Sequence, residues 1–116
     1  MDALKEWLLK KTQVYQEEGS YLQHDGKRYA LNPILARADE LPVVAKRMGE
    51  LDWILPFGTP DEERVLKANI EVPLLIIRWN HKWVVIDGYH RLTKLSRQRH
   101  LVARVKIVPN NWLKEA

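Results

Sequence analysis

Near the start of the chain, Leu4, Trp7, Leu8, Val14 and Tyr15 recur at helical spacing, with Lys5, Glu6, Lys10 and Lys11 between them. This pattern predicts an amphipathic helix over residues 2 to 18, ended by Gly19. "YLQHDGKRYAL" then places β-forming residues on both sides of Asp25-Gly26, a two-residue hairpin signal. "NPILARADE" predicts a brief helical turn behind Pro33, and "LPVVAKRM" a strand. "GELDWILPF" is broken at Pro56 and Gly58 and reads as a loop or single turn. In "TPDEERVLKA" a helix begins, with Thr59 as N-cap, Pro60 at the first helical position, and Asp61, Glu62 and Glu63 complementing the positive end of the dipole.

Two apolar runs with β-branched content follow, "VPLLIIRW" and "KWVVIDG", joined at Asn80-His81 as a tight hairpin. Neither Leu74 to Ile77 nor Trp83 to Ile86 is interrupted by polar positions, so both are expected to be central strands buried on both faces. "YHRLTKLSRQ" predicts a helix with Leu92 and Leu95 inward, "VARVKIV" a last strand, and the remainder a helical tail. The order predicts an α+β fold with a small mixed sheet flanked by helices.

Length and composition narrow this further. With 116 residues and 46% apolar content, one compact domain spanning residues 1 to 116 is expected. No apolar run approaches the length that crosses a bilayer, and the acid-bearing opening differs from a leader, so a soluble cytoplasmic protein is expected, with no membrane partner. The chain contains no cysteine, which removes disulfides, thiolate metal sites and thiol nucleophiles. His24, His81, His90 and His100 show no ligand spacing, and no metal site is expected. Charge is uneven: residues 1 to 87 hold 12 Lys/Arg against 14 Asp/Glu, a net of −2, while residues 88 to 116 hold seven against Glu115, a net of +6. That asymmetry points to an anionic ligand, or to a solvated basic helix face.

The candidate chemistry concentrates in "WVVIDGYHRLTKL", where a buried strand ends on an acid and a helix opens on cations. Helix N-termini present unpaired N–H groups and partial positive charge, which favour anions. Gly88 permits close approach and a positive φ, Arg91 offers a planar fork of donors suited to phosphate, and His90 adds further bonds. Cations there cost helix stability of roughly 0.3–1 kcal/mol each unless an anion sits among them. Asp87 either caps the helix, orients Arg91 or His90, or holds a phosphate-bound Mg²⁺. The plainer reading of His90 and Arg91 is an ion pair with Glu50, Asp52 or Glu71. Lys94 and Arg97 extend the basic strip on roughly the same face.

"VVIDGYHRLTKL" and "VARVKIV", preceded by "LPVV", "ELDWIL", "DEERV" and "VPLLII", resemble the ParB/sulfiredoxin superfamily over residues 41 to 108. Residues 1 to 40, with the helix and hairpin, then look like an N-terminal extension, and 109 to 116 like a C-terminal tail. The resemblance implies nucleotide phosphate binding at Gly88, Tyr89, His90 and Arg91, with ATP or CTP and Mg²⁺ as cofactor. It places Arg64 near a basic nucleotide contact on the upstream helix. Activities in the superfamily range over nucleotide-gated DNA clamps, sulfinic acid reduction and small-molecule phosphoryl transfer. Tyr89 stands where sulfiredoxins carry their catalytic cysteine, so that reduction is not expected. The helix-turn-helix and the Glu-, Asn- and Gln-rich helical segment of partition proteins do not occur in these 116 residues, so full partition activity is not expected either.

Phosphoryl transfer or NTP hydrolysis would also need a carboxylate to orient the nucleophile, and Asp87, Glu50, Asp52 and Glu71 are the candidates. A competing reading is a nucleic-acid module using Arg91, Lys94, Arg97, Arg99, Arg104 and Lys106 as an electrostatic stripe. A third is an adaptor with a vestigial pocket. Trp53, Trp79 and Trp83 lie in apolar segments and read as packing, whereas Trp7 and Trp112 are placed to staple the first helix to the tail.

Overall fold

The structure is a computed structural model that describes residues 12–15, 21–24 and 27–113. Contacts divide it into two compact units, Met1–Glu40 with Pro109–Ala116, and Leu41–Val108.

In the first unit, β1 (Thr12–Tyr15), β2 (Tyr21–His24) and β3 (Lys27–Ala30) form an antiparallel sheet in chain order. β1 corrects the helix expected over residues 2 to 18: Thr12, Val14 and Tyr15 are β-formers, and pairing with β2 overrides the weak helical periodicity that Val14 and Tyr15 continued. The rest of that predicted helix, with Trp7, lies outside the described residues. β2 and β3 pair with His24 opposite Lys27, the register a two-residue connection demands, although Asp25 and Gly26 themselves lie outside the described residues. α1 (Asn32–Arg37) follows, with Pro33 in its first turn, and tightens into a 3-10 turn at Ala38–Glu40. Arg37 donates to both carboxylate oxygens of Glu40 at 3.0 and 3.1 Å and lies 3.9 Å from the centre of the Trp112 ring, at the end of the 3-10 turn Asn110–Trp112.

The second unit is built on a four-stranded sheet of β4 (Val44–Arg47), β5 (Leu74–Trp79), β6 (Lys82–Asp87) and β7 (Val102–Ile107), in the order β4-β7-β5-β6. β5 and β7 run parallel and the other pairs antiparallel, so the sheet is mixed and the fold α+β. Asn80 and His81 adopt φ of 48° and 62°, as a two-residue hairpin with two left-handed positions requires. β5 is interior as expected, whereas β6 is an edge strand. Its apolar run reported burial correctly, since Val84, Val85 and Ile86 are buried. At Trp83 the edge is taken by a side chain rather than a strand, the Trp53 indole donating to the Trp83 carbonyl at 2.9 Å. Trp83 also receives the Lys46 ammonium of β4 at 4.5 Å from its ring centre, so side chains from the two edge strands meet.

Between β4 and β5 the chain makes 3-10 turns at Met48–Glu50 and Asp52–Phe57, then α2 (Glu62–Lys67). α2 is capped by Asp61, whose Oδ1 accepts from the N–H groups of Glu63 and Arg64 at 3.0 and 3.2 Å. This corrects the cap expected at Thr59: Pro60 precedes the cap, and a carboxylate in extended backbone satisfies two orphan N–H groups. α3 (Tyr89–Arg97) connects β6 to β7 and lays Leu92 and Leu95 on the sheet beside Met48, Leu51, Leu74, Ile76, Val85, Ala103 and Val105. Burying each of these side chains other than Ala103 stabilises the fold by about 1.5–3 kcal/mol. Among the described residues no helix is long and apolar enough to cross a membrane.

Candidate functional site

The junction between β6 and α3 is shaped by a bulge. Val85 opposes Ile76, but Asp87 rather than Ile86 opposes Leu75, so one extra residue on β6 re-aims the acid just before the helix. Gly88 then takes φ 110° and ψ 27°, a left-handed conformation that side chains rarely adopt. A Cβ here would lie 2.6 Å from Leu74 Cδ2 and 3.2 Å from the Arg91 guanidinium carbon. Leu74 is 0% exposed and cannot step aside. The glycine is thus required by the protein's own packing, whatever else approaches it.

Asp87 does not cap α3, which has no side-chain cap; its first hydrogen bond runs from the Leu92 N–H to the Gly88 carbonyl at 2.8 Å. Instead Asp87 Oδ2 accepts from Arg91 at 2.8 Å, the two side chains 29% and 16% exposed. The other terminal nitrogen of Arg91 donates to the Pro73 carbonyl at 2.7 Å and the Val72 carbonyl at 3.2 Å. Much of the fork that the sequence offered to phosphate is therefore spent on the chain leading into β5. Those two carbonyls have no signature in the sequence, which is why this partner went unforeseen.

Tyr89 is half-buried. Its hydroxyl donates to the Leu55 carbonyl at 3.0 Å, and burial raises its pKa above the usual phenol range. Gly58 lies against it, so a Cβ there would come within 2.8 Å of the hydroxyl and 2.9 Å of Cζ. Gly58→Ala should therefore break the Tyr89–Leu55 bond and cost about 1–3 kcal/mol by overpacking, measured by urea unfolding.

Three further side chains of α3, at spacings of four and three, face α2. His90 Nε2 accepts the Asp61 N–H at 3.2 Å. Lys94 Nζ donates to the Leu66 and Ala68 carbonyls at 2.8 and 2.9 Å, satisfying the C-terminal end of α2. Arg97 grips both carboxylate oxygens of Glu62 at 2.5 and 2.9 Å. Burial holds the His90 imidazole below its usual pKa; the nearby Arg64 guanidinium pushes the same way, against the Asp61 carboxylate. Arg64, on α2, is thereby placed near His90, a register that in the sequence followed only from the resemblance.

Glu50 and Asp52 are half-buried in the 3-10 turns after β4, and no hydrogen bond described for them reaches the Gly88 turn. Glu71 is exposed, and its carbonyl accepts from Arg104 at 3.1 Å. Among the described residues, no group of three or more His, Asp or Glu side chains is arranged to hold a metal ion.

The junction and its sheet define a small α+β protein with a strand, glycine and helix N-terminus at the candidate site. No family model matches the sequence, and no curated protein matches it. Among solved structures it is similar to sulfiredoxin from Arabidopsis thaliana, at 16% identity and a TM-score of 0.48, over 60% of this chain and 86% of that one. This is a distant likeness of fold.

Proposed function

We propose that the turn opening α3 binds the phosphate groups of a nucleotide, ATP or CTP with Mg²⁺, through the backbone N–H groups of Tyr89, His90 and Arg91. The observation that carries this reading is that α3 opens on Gly88 with no side-chain cap, while its N-terminus stands beside His90 and, through it, Arg64. Arg91, held by Asp87 and two carbonyls, acts chiefly to fix the turn, and Lys94 to fix α2. Arg64, whose charge already bears on His90 beside the turn, is the cation assigned to the ligand. For turnover, as a small kinase-like or NTP-hydrolysing enzyme, Asp87 is already committed to Arg91, which leaves Glu50, Asp52 and Glu71 to orient a nucleophile.

The stripe that would bind nucleic acid is less available: Arg91, Lys94, Arg97 and Arg104 all hold partners within the protein. The test is a titration of ATP, ADP and CTP with Mg²⁺ against labelled protein. The amide resonances from Asp87 to Leu92 should shift, and Arg64→Ala should weaken binding about tenfold, the effect of one charge-assisted contact. Unmoved resonances throughout that segment would refute the reading.

A further inference from the structure

α2 has six residues, too few for a helix to persist alone in water. Val65, 5% exposed, is the residue of α2 that the fold buries. What holds the helix is the clasp from α3: His90 on the Asp61 N–H, Arg97 on Glu62, and Lys94 on the Leu66 and Ala68 carbonyls. Arg97 keeps its charge across the neutral range, its pKa raised further by Glu62, but the His90 grip is conditional. To accept an N–H, Nε2 must carry a lone pair, so the ring is neutral with its proton on Nδ1; an imidazolium has no acceptor to offer.

We propose that α2 is a detachable arm and that protonation of His90 releases it from α3. This deepens the proposed anion site, on which its functional meaning rests, because α2 carries Arg64 and release would take that cation away. The behaviour of the arm itself can be measured with no ligand present.

The groups around His90 bear on the sign. From α2, the Asp61 carboxylate favours the imidazolium and the Arg64 guanidinium opposes it. From α3 itself come the Tyr89 ring, edge-on at 5.5 Å, and further along Lys94 and the Arg97–Glu62 pair. Burial is the largest influence and favours the neutral ring, so the docked imidazole titrates below its ordinary value of about 6.5. A depressed folded-state value means that the contribution to docking is complete above the ordinary pKa and is lost as the pH falls below it.

Hydrogen exchange at the Asp61, Val65 and Ala68 amides, each corrected for its intrinsic rate, should be compared at pH 7.5 and 5.5. Protection should fall at the lower pH, by up to roughly tenfold, because an undocked imidazole is about 90% protonated there and the docked one less so. Amides of β5 and β7 should keep their protection, and the His90 ring resonance in the unmodified chain should titrate over the same interval. His90→Gln, which retains an acceptor oxygen without a titration, should make α2 protection independent of pH. Equal protection at both pH values would overturn the proposal, as would a rise on acidification, the sign of an imidazolium captured by Asp61. A fall that persists in His90→Gln would overturn it as well. Nucleotide-induced shifts at the Gly88 turn are read separately, so either result can fail without the other.

Discussion

Gly88→Ala should destabilise the folded protein by about 2–4 kcal/mol, the sum of a left-handed backbone strained by a Cβ and the overpacking of a closed core. Two terms of different origin meet at this position, and they can be separated. Asparagine tolerates left-handed φ better than alanine, so Gly88→Asn relieves part of the first term while leaving the Cβ 2.6 Å from Leu74 Cδ2. Leu74→Val removes reach on the other side of that contact. In a double-mutant cycle, Gly88→Ala and Leu74→Val should therefore couple favourably, the pair costing less than the sum of the singles. Urea unfolding of the four proteins measures this. If the costs simply add, the contact with Leu74 is not what excludes a side chain, and only the backbone term remains.

Arg91→Met should be comparably damaging, at about 2–3 kcal/mol, because it strips a part-buried carboxylate of its partner and leaves two carbonyls before β5 without their donor. Arg91→Lys tests geometry against charge. An ammonium keeps the charge but is a single point, unable to span Asp87 on one side and the Val72 and Pro73 carbonyls on the other, so it should recover less than half the loss. Adding Asp87→Asn to Arg91→Met should recover part of the loss as well, since the stranded charge is then gone. These outcomes are read from denaturation midpoints. An Arg91→Met protein as stable as the original would show that the ties to β5 carry no weight.

The parts of the fold that were legible in the sequence are those written in local chemistry. Asn80-His81 forms its hairpin because both residues tolerate positive φ, and Leu92 and Leu95 reach the core because helical spacing puts them on one face. The mixed α+β sheet followed from the order of such segments. Errors arose where distant pairing decides: Thr12–Tyr15 is a strand because β2 lies beside it, and β6 is an edge although its sequence reads as interior. At the candidate site, the glycine and its left-handed turn were legible, since few residues serve a strand-to-helix junction of this kind. The Asp87–Arg91 pair was among the readings the sequence offered, but the main-chain acceptors of Arg91 and Lys94 were not, because their positions owe nothing to the residues that bear them. A basic strip read from sequence as a surface for outside anions is, in the folded chain, largely a fastening for α2.

The meeting of Trp53, Lys46 and Trp83 also bears on how the molecule behaves in company. An open sheet ordinarily offers two rims of unsatisfied main-chain groups to any stray extended peptide. Here one rim has an indole already seated on a carbonyl, while the other is four residues long and ends in adjacent cations, Lys46 and Arg47. This four-stranded sheet is therefore a poor template for fibrillar growth, and Trp53→Ala, by unveiling the first of its rims, would make it a better one.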